Sequence, residues 1–223
     1  MISIIKKAPL ILTGLILLSL FSCNSDEKQT NNYTKGVYLL LDTSGTYTEE
    51  LIKARQVINY LLATLEPGDT FVVARIDSGS FSEKDIIAKV ILDGRPSIYN
   101  KQKREFAATI ETFVKEVTSS AYTDISGGLL QAIEFLNESS VGKKTIFIYS
   151  DLKEDLPKGY VRDFDFVLDG FTVKALNVTK LRADNQNPQV YLDRVASWGM
   201  KVTQGGGNWG IINDLDNPES LSL

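Results

Sequence analysis

The 223-residue chain contains no histidine and a single cysteine. Without histidine there is no Ser-His-Asp triad, no Cys-His dyad and no His-ligated zinc. One cysteine excludes an internal disulfide and a thiolate zinc cluster. Positive charge is also in short supply: 24 basic residues face 28 acidic ones, a formal net charge of −4. No basic surface for nucleic acid is expected from that balance. What is plentiful is apolar content, 43% of the chain, enough for one sizeable core with a short appendage.

The lone cysteine belongs to the N-terminus. Lys6 and Lys7 precede an apolar stretch, Ala8 to Phe21, and Ser22-Cys23 closes it. That is the three-part form of a secretory signal, and the stretch falls short of the about 20 residues that a membrane-spanning helix needs. Leu20-Phe21-Ser22-Cys23 resembles the bacterial lipoprotein box, in which cleavage leaves a lipid-modified cysteine at the new N-terminus. Residues 1–22 are therefore expected as a lipoprotein signal peptide, and 23–34 as the lipidated Cys23 followed by a flexible, polar tether. Acyl chains on Cys23 would hold the protein on a membrane. The part after residue 22 loses two lysines and no acid, so its net charge is −6. Asp26-Glu27 loosely resembles a surface-export signal found just after such a cysteine. The expected location is the cell envelope, at the outer membrane or cell surface.

From Gly36 onward, short apolar runs alternate with amphipathic segments, the mark of an α/β domain with a mostly parallel sheet. Val37 to Leu41 is apolar throughout and reads as a central strand covered on both faces. A helix follows, with Leu51, Ala54, Val57, Ile58, Leu61 and Leu62 on one face. Phe71 to Ile76 reads as a second strand, Asp85 to Leu92 as an edge strand, and Asn100 to Val117 as a helix. A further helix opens at Thr123-Asp124 and runs to about Asn137. Lys143 to Tyr149 is the next buried strand. Phe164 to Leu168 and Phe171 to Val178, around Asp169-Gly170, read as a hairpin. Pro188 to Trp198 reads as a helix, Met200 to Thr203 as a last strand, and the tail from Asn208 as a short helix or irregular cover.

Three oxygen-rich motifs fall at comparable places. Asp42, Ser44 and Thr46 follow one buried strand, Asp151 follows another, and Thr123-Asp124 opens a helix between them. Oxygen donors without His or Cys suit a hard cation. In an open α/β sheet, ligands bind beyond the carboxyl ends of the strands where the strand order reverses. If the strands ending at Leu41 and Tyr149 are neighbours at that reversal, the motifs meet. Each motif alone has a plainer reading, because Asp, Ser and Thr also end strands and cap helices. Asp77-Ser78-Gly79-Ser80 has the wrong spacing and reads as a loop; Glu154 and Asp155 read as solvated.

Asp42-Thr43-Ser44-Gly45-Thr46, Thr123-Asp124-Ile125 with Gly128-Leu129, and Ser150-Asp151 resemble the three segments of the metal-ion-dependent adhesion site of von Willebrand factor type A (vWA) domains. The resemblance covers roughly residues 35–205, leaving 206–223 as a tail. It implies a Rossmann-like, open, mostly parallel sheet with helices on both faces. It also implies Mg²⁺ or Mn²⁺ held by Ser44 and Thr46, with Asp42, Thr123 and Asp151 binding directly or through water. A partner protein would then present a carboxylate to the metal. Leu152 stands where the family usually has glycine, which puts the shape of that loop in question. Two alternatives remain open: a scaffold with the fold but no metal, and a Mg²⁺-dependent phosphohydrolase. Asp42 to Thr46 also resembles the Asp-Lys-Thr-Gly-Thr segment of haloacid dehalogenase-class enzymes, which need a phosphate-neutralising lysine as well.

Overall fold

The computed structural model describes residues 31–45 and 50–223. The signal stretch, Cys23, residues 24–30 and the candidate ligand Thr46 lie outside the described residues. β1 (Asn31–Asp42) is twelve residues long and starts inside the stretch expected as tether. It is followed by α1 (Leu51–Thr64) and β2 (Thr70–Ile76), then β3 (Ile86–Ile91) and α2 (Pro96–Glu116). The second half holds α3 (Ile125–Glu138), β4 (Val141–Tyr149), β5 (Phe171–Leu176), α4 (Pro188–Gln204) and β6 (Asn208–Ile212). Among the described residues no helix is long and apolar enough to cross a membrane.

The six strands form one sheet in the order β3-β2-β1-β4-β5-β6. All pairings are parallel except β2 with the edge strand β3. The chain builds outward from β1 in one direction and then restarts at β4 in the other. The reversal therefore lies between β1 and β4, with Leu41 paired to Tyr149. Strand alternation sorts the central residues between two cores. Val37, Leu39 and Leu41 face α1 and α2, while Tyr38 and Leu40 face α3 and α4. Each fully buried Leu, Ile or Val contributes about 1.5–3 kcal/mol, so a strand apolar at five consecutive positions is bound to the middle of the sheet.

Local chemistry sets the helix starts. Pro96 and Pro188 occupy first-turn positions, where the missing N–H costs nothing. Asn187 and Asp124 cap α4 and α3 by accepting from Gln189 and Gly127 amides.

Three expectations fail in the last third. Phe164 to Leu168 is no hairpin arm, because both edges of β5 are taken by β4 and β6. Leu168 N instead donates to Gly205 O (2.7 Å), which pins the segment to the glycine turn after α4. Met200 to Thr203 is helical, not strand: Val202 lies one turn beyond Trp198, and both are buried on one face of α4. The sixth strand comes from the tail, where Asn208 to Ile212 pairs with Thr172 to Leu176.

Candidate metal centre

The site is assembled at the carboxyl ends of β1 and β4. Asp42 is fully buried. Its Oδ1 accepts from Ser44 N (2.8 Å) and its Oδ2 from Ser150 Oγ (2.6 Å). Thr43 turns its hydroxyl the other way, donating to Ile76 O (3.0 Å). Asp151 is also buried, and its Oδ1 accepts from Lys153 N (2.8 Å). Burial pushes the Asp151 carboxyl above its ordinary range, and the charge of Asp42 adds to the push. The Lys153 amide and the charges of Arg194 and Lys153 oppose it.

The middle motif is carried to the same place by short backbone bridges. Ser44 pairs with Ser120, and Ser120 N donates to Thr43 O (2.9 Å). Thr123 is buried and pairs with Asp155 through Thr123 N to Asp155 O (2.7 Å) and the reverse bond (3.0 Å). Thus Asp42, Ser44, Thr123 and Asp151 lie on loops bonded to one another. Thr46, three residues beyond the Asp42–Thr43 turn, falls outside the described residues. Asp124 is spent elsewhere: it caps α3 through Gly127 N (2.8 Å) and is ion-paired with Arg162. Gly127 is required there, since a Cβ would come within 2.5 Å of Asp124 Oδ2.

Leu152 resolves its own question. It adopts the left-handed backbone that glycine would take, with φ 64°. The conformation costs about 1–2 kcal/mol for a residue with a Cβ, and three contacts outweigh it. The side chain is buried in the core under α3 and α4. Leu152 N donates to Ser150 Oγ (3.0 Å), and Leu152 O accepts from Trp198 Nε1 (3.0 Å).

Several positioning residues were not among the candidate ligands. Ser150 Oγ ties Asp42 to the Leu152 amide, with only its place before Asp151 as a signal. Glu154 is not merely solvated, because it accepts from Ser126 N (2.6 Å) and Ser126 Oγ (3.1 Å) at the start of α3. The Asp77 loop is part of the frame: Asp77 Oδ1 accepts from Ser120 Oγ (2.6 Å), and Asp77 O from Asp124 N (3.2 Å). Arg194 Nε donates to Asp151 O (2.9 Å) while its other nitrogens hold Asp184.

No cluster of three or more Asp, Glu, His or Cys able to hold a metal occurs among the described residues. The donor set is instead two carboxylates with hydroxyls. It fits a hard cation on one observation: neither Asp42 nor Asp151 has a Lys or Arg ion-pair partner among the described residues, though both are buried and repel one another. Of the other four buried acids, three have an arginine partner and Asp69 has none. Asp124 and Asp184 have arginines, Asp85 lies 3.5 Å from Arg75, and Asp69 stands alone, accepting from two backbone amides. Lys143 and Lys144, the lysines on β4 ahead of Asp151, stand at the far end of the strand from the site. Lys144 pairs with Gly36, five residues or about 16 Å along the strand from Tyr149.

No family model matches this sequence, and no curated protein does. Solved structures do match in shape. The pilus adhesin SpaC from Lactobacillus rhamnosus GG, in an open conformation, superposes with a TM-score of 0.52 at 13% identity. It covers 86% of this chain and 30% of that one. A von Willebrand factor type A protein from Catenulispora acidiphila gives 0.44 at 14% identity, over 84% of this chain and 40% of that one. An aerotolerance-related membrane protein from Bacteroides fragilis gives 0.45 at 14%, over 84% and 96%. The chain has a vWA-like fold. This chain spans less than half of the first two matches, so the vWA-like likeness is one of architecture. In that vWA-like frame, the Asp42 and Asp151 loops occupy the crevice where the strand order reverses.

Proposed function

We propose that this chain is a divalent-cation-dependent protein-binding module, tethered to the cell envelope through lipid on Cys23. The observation that carries it is the pair of buried, mutually repelling carboxylates, Asp42 and Asp151, which have no Lys or Arg ion-pair partner among the described residues at the switch point of the sheet. Mg²⁺ or Mn²⁺ would be held by the hydroxyls of Ser44, Thr46 and Thr123, with Asp42 and Asp151 binding directly or through water. Bound there, the cation supplies a positive centre that accepts a carboxylate from a partner protein. The chain's own contribution is orientation. Ser150 and the Ser44 amide fix both oxygens of Asp42, the Lys153 amide fixes Asp151, and the Thr123–Asp155 bridge sets the height of the middle loop. The module is read as a binder rather than an enzyme.

Isothermal titration with Mg²⁺ and Mn²⁺ tests the first half. Saturable binding in wild type that disappears in Asp42→Ala supports the reading. No heat at millimolar metal, or equal binding in the variant, overturns it. Pull-down from envelope extracts with and without chelator tests the second half, the expected outcome being a partner retained only with metal. Lipidation is checked by whether Cys23→Ala releases the protein from membranes.

A further inference from the structure

The two edges of the sheet are finished differently. At β3, Lys89 puts a charge on the edge strand and Gln102 Nε2 occupies Ile91 O (3.0 Å). Edge charges of this kind discourage further pairing. At the other edge, β6 reads Asn208-Trp209-Gly210-Ile211-Ile212, without charge or proline. Among the described residues no strand pairs with its outer side. Ile212 O accepts from Asn177 N (3.0 Å), so Ile212 turns its backbone groups toward β5. Alternation gives Gly210 and Asn208 the same direction and points the N–H and C=O of Trp209 and Ile211 outward. The tail does not return to this edge: Asn213 Oδ1 accepts from Val178 N (2.7 Å), and Leu215 and Leu221 pack on the α1 side.

Trp209 and Ile211 also share a side-chain face, the one under α4. The Trp209 ring lies against Gly199, where a Cβ would come within 3.0 Å of the indole. Leu192, Ala196, Gly199 and Thr203 follow one another at helical spacing, so they form an uncharged stripe on that side of α4. Leu192, Ala196 and Thr203 are exposed. The nearby cations lie on the opposite side of the helix, Lys201 over the Trp198 ring and Arg194 against Asp184. An open, uncharged strand edge thus runs beside an open, uncharged helix stripe.

We propose that β6 pairs antiparallel with β6 of a second copy of this chain, about a two-fold axis through Gly210. A two-fold interface must be its own complement, and this strand is. Trp209 and Ile211 of one copy fall opposite Ile211 and Trp209 of the other, and each opposed pair exchanges both N–H···O=C bonds. No other two-fold register pairs both outward residues within the strand. Gly210 meets Gly210 at the axis, a pair without hydrogen bonds whose Cα atoms approach to about 4.5 Å. On the α4 face, the Trp209 ring lies beside Ile211 of the second copy, a favourable aromatic and β-branched cross-strand pair. The same axis turns the two α4 stripes toward each other, antiparallel, over a floor of Trp209 and Ile211. No like charges are opposed along the strands, whereas two-fold pairing of β3 on Lys89 would oppose two lysines. The pairing does not depend on the metal reading.

The test uses the full chain, in envelope membranes and purified in detergent. Gly210→Cys brings two thiols together at the axis, within the Cα separation of about 4.4–6.8 Å that a disulfide spans. A Cβ there meets only Lys174 Cγ, at an ordinary 3.7 Å. Oxidation with diamide should link this variant into a dimer. Wild type, which controls for Cys23, and Asn208→Cys, which lies off the axis, should stay unlinked. Adding Ile211→Lys to Gly210→Cys should cut the linked fraction at least about tenfold, with circular dichroism unchanged. Sedimentation equilibrium reads the same contact without introduced thiols: wild type should dimerise with concentration, and Ile211→Lys at least about tenfold more weakly. A wild type that stays monomeric up to about 100 μM overturns the proposal. So do equal linking by Asn208→Cys, linking indifferent to Ile211→Lys, and a link from Gly210→Cys to another polypeptide.

Discussion

Two pairs of buried acids sit within one fold and are treated in opposite ways. Asp124 and Asp184 each hold an arginine, Arg162 and Arg194, in partly or fully bidentate contact. Asp42 and Asp151 hold only amides and a hydroxyl, and face each other. The chain can neutralise a buried carboxylate where packing requires it. At Asp42 and Asp151 it does not, and under the proposed function the missing charge is supplied by a cation from outside, with the arginine-paired acids framing the site.

The comparison can be broken from either side. The largest effect is expected from Arg194→Ala, which removes the bidentate partner of Asp184 and leaves it the Leu181 amide and the charge of Lys180. Urea denaturation should show the largest loss of stability of the set, together with weaker metal binding as the Asp151 carbonyl loses its donor. Next comes the metal itself. At a concentration about 100 times its dissociation constant, Mg²⁺ or Mn²⁺ should add about 2.7 kcal/mol. Asp42→Asn and Asp151→Asn should each remove that gain in a thermal melt.

Leu152→Gly sets two local terms against each other. Relief of the left-handed backbone returns about 1–2 kcal/mol, and loss of the buried side chain costs about 2–5 kcal/mol. A net loss of about 2 kcal/mol is expected by the same denaturation, with metal affinity unchanged because glycine keeps the loop's shape.

The smallest effect is the most specific. Without metal, Asp151→Asn should raise stability at neutral pH by up to about 1 kcal/mol. The folded chain binds the Asp151 proton more tightly than the unfolded chain does. Stability from this group is therefore greatest below the ordinary carboxylate range, falls as pH rises through the raised value, and stays low above it. Denaturation of wild type and Asp151→Asn at a series of pH values should show their difference shrinking as the solution is acidified. A constant difference would mean that burial and the charge of Asp42 do not raise the Asp151 carboxyl.

The central half of the molecule was legible because one property dominated it. Continuous apolar runs place β1, β2 and β4 inside the sheet, and polar motifs after β1 and β4 and at the start of α3 mark the candidate site. The last third was not, because local pattern and tertiary demand diverge there. Phe166 and Leu168 alternate like a strand but pack beneath α4, and Val202 reads as strand until its helical spacing from Trp198 is counted. The sixth strand is short and interrupted by Gly210, so only the open edge of β5 discloses it. Leu152 was legible as a departure but not as a solution. Sequence shows the missing glycine, whereas the buried side chain and the Trp198 bond that hold the turn are long-range. Arg162 and Arg194 carried no periodicity and no motif.

The central pairing also sets the order of events when the chain is made. Asp42 and Ser150 are bonded across 108 residues, so at about 5–20 residues per second β1 waits roughly 5–20 s for its β4 neighbour to be synthesised. Until then the most apolar strand of the sheet has β2 on one side and nothing on the other, and helix α3 has no complete floor. Asp42 is thus synthesised well before Ser150, which completes its hydrogen bonding. A stalled or truncated chain ending before Val141 would expose an unsealed β1 edge, the form of this protein most in need of a chaperone.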